Sequence, residues 1–405
     1  VGKTTVEGAY GQLLEEGYIV SRERSGFYVE AVQRPVSRKP TAPHPVALSE
    51  EPPKADLTGN GTGQFPFSVW IRLQREVILD YGEQLLLPLH AQGALELRQA
   101  IARNLEDFRG LSVAPDCILV GAGTDFLYNL LLQLLGQDKV YGVEDPGYGK
   151  IGKIYRAGGV RCLPIPMDDQ GICPECLGDA QVLHISPSHH FPTGLVTPLQ
   201  RRRALLDWAR SKDGWIIEDD YDTEFRFRGR PLPAMQTMDP DRVIYMNTFS
   251  KTLAPSIRIS YMVLPPALME KFRQQLGFYG CTVPSFEQYT LARFLDRGYF
   301  EKHINRMRKF YRARRNRVIA ALECCPAADR FTILEQDAGL HFLLQVDSPL
   351  SGPALAKKFA AQGLKVHLLS SFYQTPTPES DKSLVINYSA VDEELLQDAL
   401  SNFRL

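Results

Sequence analysis

No run of apolar residues in this 405-residue chain approaches the roughly 18 that a membrane-spanning helix needs. No basic, apolar, small-residue leader stands at its start, so we expect no membrane partner and no export. An excess of one charge sign is also missing. A net charge of −1 gives the chain no global attraction to nucleic acid or anionic lipid. The seven cysteines are odd in number and scattered, which predicts reduced thiols and a cytoplasmic location. Cys173-Pro-Glu-Cys176 has the spacing of a chelating pair. Cys324-Cys325 is too closely spaced to complete it, so no metal site is expected. Gly2-Lys3-Thr4 lacks the preceding strand and earlier glycine of a P-loop. The chain begins at Val1 rather than Met, which we read as a fragment without its true N-terminus. What is present is an ordinary soluble composition, 44% hydrophobic and 23% charged, on a chain long enough for more than one domain.

The chain is organised around Asn247-Thr248-Phe249-Ser250-Lys251-Thr252, which lies between two apolar strands, 242–246 and 259–264. A lysine on a polar turn at the end of a buried strand sits where open α/β sheets bind ligands. A desolvated lysine amine forms Schiff bases, and pyridoxal phosphate (PLP) is the usual carbonyl partner. Arg258, seven residues on, is placed to return and hold the cofactor phosphate bidentately.

Four more strand ends precede this one. Strand 117–120 runs through Gly121-Ala122-Gly123-Thr124 into an apolar helix, an arrangement that presents backbone N–H groups to an anion. Strand 139–143 ends in Glu144-Asp145-Pro146-Gly147-Tyr148, whose aromatic is placed to stack on a ring. Strand 182–186 leads into Pro187-Ser188-His189-His190-Phe191-Pro192-Thr193-Gly194, where His189 and His190 are either polar contacts or turn histidines. Strand 215–217 ends in Glu218-Asp219-Asp220-Tyr221-Asp222, a source for the carboxylate that keeps a pyridine nitrogen protonated. Glu218 and Asp220 are the alternatives to Asp219, because a one-residue slip reverses the face.

The ordered set resembles the fold-type I PLP enzymes, the aspartate aminotransferase superfamily. That resemblance implies an α/β fold with a large, mostly parallel-sheet domain and a small α/β domain. It also implies that Lys251 carries PLP beside Ser250, and that Gly123, Thr124 and Arg258 hold the phosphate. Tyr148 then stacks on the ring, Asp219 pairs with its nitrogen and Tyr221 bonds its phenolic oxygen, with His189 as a further polar contact. Three departures stand out. Asp125 follows Thr124 where related regulators often have Gln; a carboxylate beside a phosphate is unfavourable unless it points away, so Asp125 is not counted as a contact. Phe191 replaces the Asn of ordinary aminotransferases. Val385 stands about where an arginine forks the substrate carboxylate, and Arg226, Arg228 and Arg230 are the candidate substitutes.

At the N-terminus, Val6, Tyr10, Leu13 and Leu14 form an apolar stripe at helical spacing that stops at Gly17. A basic-tipped hairpin over 18–29 follows. The pair resembles the second half of a GntR-type winged helix-turn-helix, a truncated module whose first two helices are missing. The resemblance makes Lys3, Thr4, Thr5, Arg22, Arg24 and Ser25 candidate DNA contacts. Residues 33–55 are proline-rich and read as a semi-rigid linker. The expected plan is 1–32 partial winged helix, 33–55 linker and 56–405 aminotransferase-like domain, its large part about 95–285 and its small part about 290–405. A helical region with Arg306, Arg308, Arg312, Arg314, Arg315 and Arg317 reads as a solvated face rather than a nucleic-acid surface.

Taken whole, the chain resembles the MocR-type regulators, which fuse a GntR-type winged helix to an aminotransferase-like domain. The resemblance implies a homodimeric, PLP-loaded transcriptional regulator that senses a small amine, an amino acid or PLP itself. A working aminotransferase is the alternative.

Overall fold

In the computed structural model the described residues are 2–30, 54–59, 61, 64–227, 232–335, 337–374, 376–401 and 403–405. Most of the proline-rich stretch, with Arg228 and Arg230, lies outside them. The chain folds as two units, Val1–Pro52 and Pro53–Leu405.

The first unit holds a helix, Lys3–Glu15, and an antiparallel hairpin of Ile19–Arg22 with Gly26–Val29. Gly17 at φ 75° turns the chain out of the helix, as only glycine does freely. The Tyr10 and Phe27 rings, 4.8 Å apart, tie helix to hairpin. Lys3 lies 3.7 Å from Glu7 one turn on, and the Ser25 and Tyr28 hydroxyls share a 2.7 Å hydrogen bond.

The second unit carries an eight-stranded sheet in the order Ile118–Gly121, Ser260–Val263, Val243–Thr248, Trp215–Asp219, Val182–Ile185, Val140–Asp145, Arg161–Asp168, Gly171–Ile172. The five strands from Val243–Thr248 to Arg161–Asp168 run parallel. Both faces of the central strands are buried, so they read as apolar runs rather than alternations. Their alternate residues still divide between two cores: Ile217 and Ile244 pack on one face, Ile216 and Val243 on the other. Lining up the parallel strand ends gathers the chemistry-bearing turns on one edge.

The smaller lobe is an antiparallel sheet of Phe331–Leu334, His341–Val346, Ser383–Asn387 and His367–Leu368. A parallel two-residue ladder joins Ala55–Asp56 to Leu364–Lys365, so Ala55, read as the last linker residue, is a strand residue. The long helix Tyr299–Glu323 does not carry its arginines as a free solvated face. Arg308 donates to the Glu224 carbonyl (2.5 Å), Arg312 to that of Phe227 (3.0 Å) and Arg314 to that of Ser389 (2.6 Å). These guanidinium forks satisfy carbonyls that the irregular loops leave unpaired. The seven cysteines are unpaired, and among the described residues no helix is long and apolar enough to cross a membrane.

Candidate functional site

The strand ends converge on a cavity of about 340 Å³. Thr124, Tyr148, Asp219, Tyr221, Ser250, Lys251 and Arg258 all line it. Strand Val243–Thr248 breaks at its end into the one-turn helix Phe249–Thr252, because the Thr248 side chain accepts the Ser250 N–H at 3.1 Å and caps it. That turn sets Ser250 and Lys251 at the cavity wall. Burial lowers the Lys251 amine from its usual range, while the Asp222 carboxylate partly restores it. The neutral, nucleophilic amine is thereby made less costly to reach than for a solvated lysine.

An anion cradle lies beside the lysine. Gly123, at φ 88°, precedes the helix Thr124–Leu135, and Arg258 folds over it from a left-handed turn at φ 51°. The positive φ favours glycine at position 123, and a Cβ there would displace the Arg258 guanidinium, whose nitrogen it would meet at 2.4 Å. The Ser250 hydroxyl oxygen is buried without a hydrogen-bond partner. Asp125, set aside from the sequence as a contact, is part of this wall. Its carboxylate lies 2.7 Å from Lys150 and 3.4 Å from Arg258. Two cations offset the charge that the sequence alone made awkward.

Strand alternation separates the three acids of Glu218-Asp219-Asp220. Glu218 turns into the core and accepts the backbone N–H groups of Met235 and Gln236, both at 3.0 Å. Asp220 pairs with Arg109 at 2.9 Å and accepts the Tyr245 hydroxyl at 2.7 Å. Of the three, Asp219 faces the cavity. Its Oδ2 accepts the Tyr128 hydroxyl at 2.5 Å and lies 3.4 Å from His184 Nε2, whose other ring nitrogen meets Tyr155 at 2.6 Å. Its Oδ1 is buried with no hydrogen-bond partner. A buried carboxylate oxygen left over in this way is set for a donor from a ligand.

His189 does not line the cavity. It lies behind the wall, with Nδ1 3.0 Å from both Asp222 oxygens and 3.4 Å from the Tyr221 hydroxyl. Arg226 is not among the lining residues either, and Arg228 and Arg230 lie outside the described residues. Phe191 and Val385 both line the cavity. So do Tyr128, Lys150, Leu57, Thr58 and Asn387, which sequence reasoning missed. Tyr128, one turn after Thr124, was the detectable one, as a hydroxyl set in an apolar helical run. Leu57 and Thr58 arrive from far upstream: the Leu57 carbonyl accepts the Asn387 N–H at 2.8 Å, and no local pattern marks them.

Glu144, also in the wall, yields a pH prediction. Burial pushes its carboxyl up to about 8 against the lowering effect of the Ser186 N–H, and burial lowers the neighbouring His190 to about 3. The unfolded chain releases the Glu144 proton near 4.5, whereas the folded chain holds it to about 8. Stability contributed by this group therefore falls as pH rises across that window. His190 acts oppositely, and only below about 6.5. Urea unfolding of Glu144→Gln is expected to lose the decline between pH 6.5 and 8 that the parent shows. An unchanged slope would refute the assignment.

The donor set fits PLP: an orphaned buried acceptor for a ring N–H, an unpartnered hydroxyl and a guanidinium for a phosphate, an aromatic side chain and a desolvated lysine. Comparison with known proteins agrees. The aminotransferase class I and II family matches residues 56–403. The uncharacterized HTH-type transcriptional regulator YdeL of Bacillus subtilis (strain 168) is 38% identical, over 100% of this chain and 88% of its own length. The probable rhizopine catabolism regulatory protein MocR of Rhizobium meliloti is 32% identical, over 100% and 86%. Among solved structures, the Pyrococcus horikoshii kynurenine aminotransferase, crystallised with PMP, superposes with a TM-score of 0.73 at 25% identity, over 85% of this chain and 88% of that one. The chain belongs to the aminotransferase class I and II family and, within it, to the MocR-type HTH transcriptional regulators.

Proposed function

We propose that this protein is a cytoplasmic, PLP-loaded transcriptional regulator whose aminotransferase-like unit senses a small molecule and whose N-terminal unit binds DNA. Bound PLP supplies an electron-withdrawing ring conjugated to a carbonyl. Lys251 would hold that carbonyl, Asp219 Oδ1 would accept the ring N–H, and Gly123, Thr124, Ser250 and Arg258 would hold the phosphate. Tyr148 would lie against the ring and Tyr221 would bond its phenolic oxygen, with His189, held by Asp222, positioning the Tyr221 hydroxyl. The observation that carries the cofactor reading is the orphaned Asp219 oxygen in the same wall as Lys251. The sensor reading rests on Phe191 and Val385, apolar groups where a transaminase needs polar ones. The aminotransferase alternative draws on the completeness of the cofactor set. It requires multiple turnovers with an amino donor and a keto acceptor, and turnover lost in Lys251→Ala would favour it.

On DNA, Lys3, Thr4 and Thr5 open the helix Lys3–Glu15, and Arg22, Arg24 and Ser25 form the tip of the hairpin. A helix N-terminus suits the major groove and a basic tip suits phosphates. We expect Arg22→Ala and Arg24→Ala each to lower the slope of log affinity against log salt by about 0.9 in the intact protein. Fluorescence anisotropy on operator DNA at several salt concentrations measures this. Slopes equal to the parent's would exclude phosphate contacts by the wing. A homodimer is part of the proposal. Phe67, Ile71, Leu79, Leu86 and Leu87, on one helix and the turn after it, are 61–74% exposed, an apolar density that suits burial against a second copy.

A further inference from the structure

The wall of the cavity supplied by the smaller lobe and the Phe191 turn is aromatic and uncharged. The Phe191 ring lies 5.1 Å from Phe372 and 5.1 Å from His341, and Phe372 lies 5.8 Å from His367. Val385 sits opposite His367 in the antiparallel ladder, two residues before Asn387, so both present the same face. Burial holds the His341 imidazole well below its usual range, with His189 and His190 adding to the effect, and it is neutral at physiological pH. Burial and Lys365 lower His367 likewise.

Among the described residues, the positive charges that line the cavity are elsewhere. Lys150 and Arg258 converge on Asp125 at the anion cradle, and Lys251 is the cofactor lysine. Near Lys251 the charged group is a carboxylate, Asp222, whose field reaches the amine. A ligand therefore meets negative charge at its amine end and neutral aromatic surface along its tail. Among the described residues no Lys or Arg lines that surface, and the nearby Lys365 lies 3.3 Å from Asp56, so a carboxylate carried into it loses hydration without a lining cation, which costs more than its neutral counterpart. Thr58 and Asn387 are uncharged polar groups of the same cavity; the Thr58 hydroxyl already donates to Asp56 at 2.6 Å and the Asn387 amide oxygen accepts from Ser389 at 2.7 Å.

We infer that the ligand sensed here is a primary amine with an uncharged aromatic or apolar tail and no carboxylate on the amine-bearing carbon. The inference rests on the cofactor-site reading above and narrows its ligand from amines and amino acids in general to this class.

Phenethylamine and L-phenylalanine differ only in the carboxylate and serve as probes. PLP uptake is first read by absorbance after gel filtration, and binding of each probe to the PLP-loaded protein is then measured by titration calorimetry. Phenethylamine is expected to bind at least about 30-fold more tightly. Phe372→Ala should weaken it about tenfold by removing a ring of the wall. Val385→Arg should narrow or reverse the preference by placing a fork at the tail wall. A protein that takes up no PLP overturns the cofactor reading and the ligand class with it. One that takes up PLP yet binds phenylalanine as tightly as phenethylamine, or binds neither, overturns the ligand class alone. The comparison in the parent protein needs no variant, so a misfolded Val385→Arg cannot decide the matter.

Discussion

Lys251→Ala is expected to abolish covalent capture of PLP and to weaken its retention at least about 100-fold. The lysine is the group placed to make a covalent link, and its amine is desolvated in the wall that holds Ser250 and Asp219. Arg258, Ser250 and Thr124 remain in the variant, so weak, phosphate-driven binding should persist. Borohydride reduction followed by peptide mass spectrometry reads the result directly. The parent should carry a pyridoxyl group on the peptide containing Lys251, and the variant should carry none. Lys150 makes this a sharp test, because it lines the same cavity. A pyridoxyl group found on Lys150 in the parent would sink the assignment of Lys251.

Arg109→Met is expected to destabilise the protein by about 3–5 kcal/mol, the usual cost of stripping one partner from a buried ion pair. Arg109 ends the helix Leu95–Arg109, and its guanidinium lies 2.9 Å from Asp220, with the two side chains 7% and 1% exposed. The Tyr245 and Thr223 hydroxyls donate to the same carboxylate. Without Arg109 that carboxylate is left buried and uncompensated. The effect should reach the site, because Asp220 pegs the turn on which Asp219 and Tyr221 are aimed in the opposite direction. PLP affinity is therefore expected to fall at least about tenfold as well. Urea unfolding followed by circular dichroism measures the first effect and PLP titration the second. The double variant Arg109→Met with Asp220→Asn should lose less than the sum of the single variants, since it removes the orphaned charge. A loss under about 1 kcal/mol for Arg109→Met would mean that the pair does not anchor this turn.

The strand-end turns were legible because each follows an apolar run buried on both faces, and such runs stop where polar groups reach the sheet edge. The N-terminal helix was legible for a similar reason, since Val6, Tyr10, Leu13 and Leu14 repeat at helical spacing and glycine ends the repeat. Other features were not local. The arginines of Tyr299–Glu323 read as a solvated face because their acceptors, the carbonyls of Glu224, Phe227 and Ser389, lie some 75 to 85 residues away in the chain. Asp125 looked like a fault beside an anion until folding brought Lys150 and Arg258 to it. His189 had the right neighbours in sequence, yet the turn carries it behind Tyr221 rather than into the cavity.

The sequence by itself determined the order of the strand ends and the residue types each turn carries, because hydrophobic period and turn residues are local properties of a chain; the family followed from the resemblance of that ordered set to known motifs. Tertiary structure decided which of three adjacent acids faces the cavity, which cations offset Asp125, and that Leu57 and Thr58 complete the wall. Those outcomes depend on strand register and on contacts between residues far apart in the chain, and no short window of sequence contains them.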